Sequence, residues 1–373
     1  MKLLEQERRV LAAFAPGLDE QLKEVGTACL EDQNSPAISL FKTARAGRLL
    51  VPKEVGGAGA SALEALRFHI ALGSRAPSLA VATTMHQYKV ATLAKMDERD
   101  GMSSILRRFA KGDWLVASGG AEGIPGKSLF APTVTSMDTE RGIVVTGTKK
   151  PCCLTWSMDV LSVMIASSQE SRYGGELLNV LIDARHSSIK RTRFWNSPVL
   201  RAAESDAVTL QDTPVEADHV FRLGTPDDAK PFTVVALVWF ELLASGSYLG
   251  MTLRLVEMLL EQGKGSAEQR ASIAVRLEPL LASLEHVAEQ VDADRMNEAL
   301  LARIIKVRYA VQDFIKNVGA ECIELLGGLS FATSTEGTTF LLSSRALSFH
   351  PPSQVPMHVP LAEHFAGASF RLA

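Results

Sequence analysis

The sequence predicts an α+β protein in three parts: a helical domain over 1–110, a central β domain over 111–225 and a C-terminal helical bundle domain over 226–373. Two observations carry that expectation. Apolar residues recur three and four apart through the first part, switch to every second residue from Trp114 to about Leu223, and return to the helical period from about Pro231. The order itself, helices then strands then long helices, is the layout of two helical units flanking a sheet.

Each part follows from its own stretches. "LLEQERRVLAAF", "LDEQLKEVGTACLED", "ALEALRFHIALGS" and "ILRRFAKG" are amphipathic helices, and "SLAVATTMHQYKVATLAKM" is apolar enough to be a buried one. "RLLVPKEVGGAGAS" gathers proline and glycines into a tight loop that opens a helix. "GIVVTGTKK", "DVLSVMIASS", "LLNVLIDA" and "DAVTLQDTPV" alternate as strands, with turns at "SMDTERG" and "SSQESRYGG". Helices are then expected over 231–262, 267–293, 296–326 and about 336–348.

Composition narrows the function. The 373 residues are 46% hydrophobic, enough for large cores, and a formal net charge of −3 gives no basic footprint for nucleic acid. The charged start "MKLLEQERRVLAAF" is not a secretory signal. "FTVVALVWFELLASGSYLGM" has the length of a membrane span, but it carries a charge and turn formers, so a buried helix is expected. Four cysteines, Cys29, Cys152, Cys153 and Cys322, suit a reducing compartment, hence a cytoplasmic protein.

Three motifs invite chemistry. "EVGGAGAS" lacks the spacing and the preceding strand of a dinucleotide fingerprint. "ASGGAEGIPGK" follows the short apolar stretch Trp114–Ala117, where backbone N–H groups could line a flavin or phosphate; its bland alternative is a surface turn. Adjacent Cys152 and Cys153 point to opposite faces of an extended chain, so no metal site is expected, and one thiol should be core while the other faces a cavity.

The ordered series of motifs resembles the acyl-CoA dehydrogenase superfamily of flavoproteins across nearly the whole chain. "LLVPKEVGGAGAS" is similar to the family's P-x-x-x-G-G-x-G loop, and "ASGGAEG" to its T-E-P-x-A-G-S-D flavin loop. "GIVVTGTKKPCCLT" resembles the strand ending N-G-x-K-x-W-I-T-N, "SDAVTLQDTPVEADHV" the strand before the last helical domain, and "AECIELLGGLSF" the helix ending Q-x-x-G-G-x-G. The resemblance implies a central β-barrel-like domain, a C-terminal four-helix bundle, FAD bound between them, and a homo-oligomer, dimer or tetramer. The apolar C-terminal helix around "FTVVALVWFELLASGSYLGM" is expected to carry that assembly.

Carried over, the resemblance places flavin contacts at Ser118, Gly119, Cys153, Thr155, Gly327, Gly328 and Ser353. It also exposes departures. Pro151 replaces the tryptophan beside the flavin, and "LEQGKGSAEQ" offers Lys264 where the family has an arginine reaching the FAD pyrophosphate. The catalytic glutamate falls on Pro351, which cannot abstract a proton. Two replacements stand open: Glu241, one residue past the alternative base position Phe240, and His350; His86 is a weaker third.

Three functions follow as expectations. The first is an FAD-dependent α,β-dehydrogenation of an acyl thioester, on CoA or a carrier protein, with a flavoprotein or oxygen as electron acceptor. The second is a flavin-dependent monooxygenase, which uses oxygen, needs no α-proton base and draws on a flavin reductase. The third is a homologue that has kept the fold and lost FAD or its chemistry.

Overall fold

The computed structural model describes residues 2–100, 103–124 and 132–371. It opens with α1 (Glu5–Phe14), α2 (Leu18–Val25), α3 (Thr27–Leu30) and α4 (Ala37–Thr43). Their apolar sides turn inward, with Leu11, Leu18, Leu22 and Phe41 fully buried. α5 (Ala62–Gly73) starts at a reciprocal cap: the Ser61 hydroxyl accepts from the Glu64 N–H, and the Ser61 N–H donates to the Glu64 carboxylate. α6 (Pro77–Asp100) and α7 (Ser103–Phe109) complete the first helical region.

Strands follow: β1 (Val116–Gly119), β2 (Thr135–Asp138), β3 (Gly142–Cys152), β4 (Val160–Ala166), β5 (Leu177–Asp183), β6 (Ile189–Thr192), β7 (Asp206–Glu216) and β8 (Val220–Gly224). They form two four-stranded sheets, ordered β1-β4-β5-β8 and β2-β3-β7-β6. β1 runs parallel to β4, and the other pairs are antiparallel. The expected β-barrel-like centre is therefore corrected. Closure needs every strand paired on both sides, whereas among the described residues β1, β2, β6 and β8 each pair on one side only.

Helices return as α8 (Lys230–Glu261), α9 (Ala267–Asp292), α10 (Glu298–Leu326), α11 (Gly328–Thr333), α12 (Thr335–Ser344) and α13 (Gln354–Phe365). Among the described residues the three long helices and a shorter fourth stand close to the expected ranges, and α11 and α13 are additional short ones. Helical regions thus flank a mixed sheet core at both ends of the chain.

α8 is the axis of the molecule, with α5, α6, α10 and α12 packed around it. Glycine sets the closest approach. A Cβ at Gly250 would stand 2.1 Å from the Ile70 carbonyl oxygen, and one at Gly73 would stand 2.0 Å from that of Ser247. α8 is long and apolar enough to cross a membrane, yet 83% of its most apolar window is buried inside the protein. Most of its apolar surface is covered by the chain's own helices. Exposed apolar side chains gather instead toward the C-terminus, at Leu329, Phe349, Val355, Val359 and Phe365.

Candidate functional site

The site is built where α6 crosses β1. His86 fixes that crossing: its Nδ1 accepts from the Val116 N–H at 3.0 Å, so Nε2 carries the proton and donates to the Gly47 carbonyl at 2.7 Å. Burial pushes His86 down to about 4, so it is neutral at pH 7. With both nitrogens engaged it is a tether. Two residues on, the Tyr88 hydroxyl meets the Ser118 hydroxyl in a short hydrogen bond.

Beyond Ser118 the chain turns through Gly119 and Gly120. A Cβ on Gly119 would press against Val163 at 2.9 Å, so that glycine serves packing of β1 on β4. Gly120 is exposed, and a Cβ there would meet only the Ser118 hydroxyl at 3.7 Å. The rest of the glycine-rich stretch, from 125, lies outside the described residues.

The cysteine pair divides, with Cys152 the last residue of β3 and Cys153 the first of the turn that follows. Cys152 is fully buried, its thiol donating to the Ser118 carbonyl at 3.6 Å. Cys153 is half-buried, 3.1 Å from the Ser205 hydroxyl, and burial pushes its thiol up to about 11. Thr155 is buried and donates to the Cys152 carbonyl at 2.6 Å, so its hydroxyl closes a local turn.

Beside this turn lies an exposed shelf. Pro151, Trp156 and Phe194 face outward, the two rings 43% and 40% exposed. Arg193 sits 4.7 Å above the Trp156 ring and Lys150 sits 5.5 Å from that of Phe194. Asp206 organises it, accepting from Trp156 Nε1 at 2.7 Å, Arg193 at 2.8 Å and the Phe194 N–H at 2.8 Å. Burial works to raise Asp206, and these donors outweigh it, holding the carboxyl below its usual range. Planar apolar rings, flanking cations and an open glycine turn fit a flat aromatic group with an anionic tail.

From Ser118 the site continues through Tyr88 into an aromatic cluster. The Tyr88 and Phe240 rings are 5.4 Å apart, Phe240 and His350 5.7 Å, and Tyr248 and His350 5.4 Å. The Tyr248 hydroxyl is 2.7 Å from His350 Nε2. Burial, then the Arg308 charge, pushes His350 down to about 3. Burial raises both phenols, and Cys153 is among the groups acting on each. The cluster is therefore uncharged at pH 7.

Glu241 stands behind it, with both oxygens 3.1 Å from Arg308 Nη1 and neither side chain exposed. Burial raises it to about 7 against the pull of Arg308. The structure thus brings Ser118, Cys153 and His350 around one aromatic cluster, with Glu241 one step removed. Gly327 ends α10, Gly328 opens α11 and exposed Ser353 precedes α13, and among the described residues no hydrogen bond ties these three to the cluster. Tyr88, Trp156, Phe194, Tyr248 and Arg308 were not singled out from sequence. The tyrosines and Arg308 lie in long apolar helices, where the helical period reads them as packing.

No family profile matches the chain. Over its whole length it is 35% identical to isobutylamine N-hydroxylase of Streptomyces viridifaciens, with 100% of both chains covered. Among solved structures, KijD3 bound to FMN and a dTDP-linked amino keto sugar superposes with a TM-score of 0.83 at 18% identity, over 98% of this chain and 95% of that one. FMN-bound TdsC of Paenibacillus sp. A11-2, a dibenzothiophene monooxygenase, gives 0.81 at 17%, over 100% and 99%. The fold is the acyl-CoA-dehydrogenase-like flavin-binding fold.

Two expectations are corrected by these relatives. Acyl-thioester dehydrogenation gives way, because the relatives are an N-hydroxylase and monooxygenases. The site agrees: Pro351 offers no base, and Glu241 is engaged by Arg308. FAD gives way to FMN, the flavin bound in the KijD3 and TdsC structures. The missing pyrophosphate arginine fits that change, since FMN carries a single phosphate.

Proposed function

We propose, because the chain belongs to the family of isobutylamine N-hydroxylase, that it is an FMN-dependent monooxygenase hydroxylating the nitrogen of a small primary alkylamine. The observation that carries the reading is the uncharged aromatic cluster of Tyr88, Phe240, Tyr248 and His350, joined to β1 through Tyr88 and Ser118. Bound reduced FMN would supply the two electrons that split O2, one oxygen entering an amine N–H bond and the other leaving as water.

The chain's own residues select the reacting species. An ammonium ion entering this cluster would be desolvated without gaining Glu241 as a counter-charge, because Arg308 holds that carboxylate. The neutral amine enters without that penalty and presents the lone pair that oxygen transfer requires. His350 and Tyr248, already hydrogen-bonded, can exchange that bond for one to the amine.

Ser118, Gly119 and Cys153 border the proposed flavin, with Trp156 and Phe194 as ring contacts and Lys150 and Arg193 as partners for its phosphate. We further read the protein as a cytoplasmic homo-oligomer assembled through its exposed C-terminal apolar residues, served by a separate flavin reductase. Free Cys29, Cys152, Cys153 and Cys322 support the reducing compartment.

The test is turnover. With FMN, a flavin reductase, NAD(P)H and O2, short primary alkylamines should yield N-alkylhydroxylamines by mass spectrometry. Oxidation of reduced FMN that yields no hydroxylated amine from any member of the series would defeat the reading.

A further inference from the structure

We propose that Arg308 is the positioning residue of this site: anchored on Glu241, it fixes the segment Leu347–Pro352 and thereby holds the His350 ring against Tyr248. The inference rests on reading the aromatic cluster as the monooxygenase site.

The geometry is a fork with its handle held. Arg308 Nη2 donates to the His350 carbonyl at 2.6 Å and to the Leu347 carbonyl at 3.0 Å. Nη1 donates to the Pro352 carbonyl at 3.2 Å and to both Glu241 oxygens at 3.1 Å. Its neighbours on α10 finish the clasp: Tyr309 donates to the Pro352 carbonyl at 2.9 Å, and Gln312 to that of Leu347 at 3.0 Å.

The segment needs such help. Pro351 and Pro352 have no N–H, so they cannot tie the chain down by backbone donation. A planar guanidinium spreads its donors over separate nitrogens in a fixed fork, whereas a lysine ammonium offers its three from a single atom. Buried ion pairs are weak sources of net stability, because desolvation offsets most of the attraction. This one is fully buried, and the Arg308 Nε–H has no partner among the described residues. The arrangement is poor as a stabilising device and well formed as a spatial one. Glu241, which the sequence offers as a base, becomes the anchor of the fork.

The test uses the full chain with FMN and a flavin reductase. Arg308→Gln combined with Glu241→Gln removes the fork without stranding a charge, and Arg308→Lys keeps the charge while losing the geometry. Each is made in the parent and in His350→Ala. A residue acting through His350 should lower kcat about tenfold in the parent but less than about twofold once the ring is gone, with FMN affinity little changed. Amide hydrogen exchange at Ser348, Phe349 and His350 should speed up in both fork variants. Equal kcat losses in both backgrounds would overturn the proposal, as would unchanged exchange. If the paired glutamine variant fails to fold, Arg308→Lys decides by the same two readouts. Should the parent hydroxylate no amine, the functional reading falls while hydrogen exchange still decides whether Arg308 holds the loop.

Discussion

Acidification should cost the fold stability through the buried, neutral His86, by an amount that the structure sets. His86 is fully buried, and burial pushes it from an ordinary value of 6.5 down to about 4. For a base whose folded pKa is depressed, the unfolded chain takes up the proton first. Stability is therefore complete above 6.5, falls as pH drops from there toward 4, and levels off below. Between pH 7.5 and 5 the loss from this residue alone is about 2 kcal/mol, at about 1.4 kcal/mol per pH unit. His86→Gln keeps a donor and an acceptor but does not titrate. Urea unfolding of parent and variant at both pH values, at one protein concentration, isolates the term, because the other titrating groups cancel in the difference. The parent should lose about 2 kcal/mol more than the variant on acidification. Parallel losses would show that His86 is not the buried neutral link between α6 and β1.

Three further outcomes follow from the same geometry. Ser118→Ala removes the partner of Tyr88 and should weaken FMN binding by about 0.5–1.5 kcal/mol, read by flavin fluorescence quenching. Trp156→Ala takes away an exposed ring and should cost about 0.5–1.5 kcal/mol of FMN affinity with little change in melting temperature; unchanged affinity would move the flavin off the shelf. Gly250→Ala drives a methyl into the Ile70 carbonyl at 2.1 Å and should destabilise by about 3 kcal/mol or more, seen as a large fall in melting temperature.

Much of the fold is legible in the sequence because it is local. The change of period falls between Phe109 and Val116, and the return between Gly224 and Lys230. What is not legible is long-range. Whether β1 meets only β4 is decided by pairing across more than forty intervening residues, about which a strand's own alternation says nothing. α8 reads as an interface because it is apolar all round, and only its neighbours in space reveal that α5, α6, α10 and α12 cover it.

The site divides in the same way. Ser118, Cys153 and His350 stand out because each replaces a residue in a recognisable motif. Tyr88 and Tyr248 announce nothing, since an aromatic in an apolar helix is ordinary packing. Glu241 is conspicuous as a carboxylate in an apolar helix, but its meaning depends on Arg308, 67 residues away.

The central claim is that oxygen from O2 reaches the nitrogen of a small alkylamine at this site. It is tested most directly by single turnover of the protein with chemically reduced FMN and isotopically heavy O2 in ordinary water. The account predicts an N-alkylhydroxylamine carrying the heavy oxygen, formed in proportion to reduced FMN. A product whose oxygen comes from water, or reduced FMN consumed with the amine returned unchanged, would contradict it.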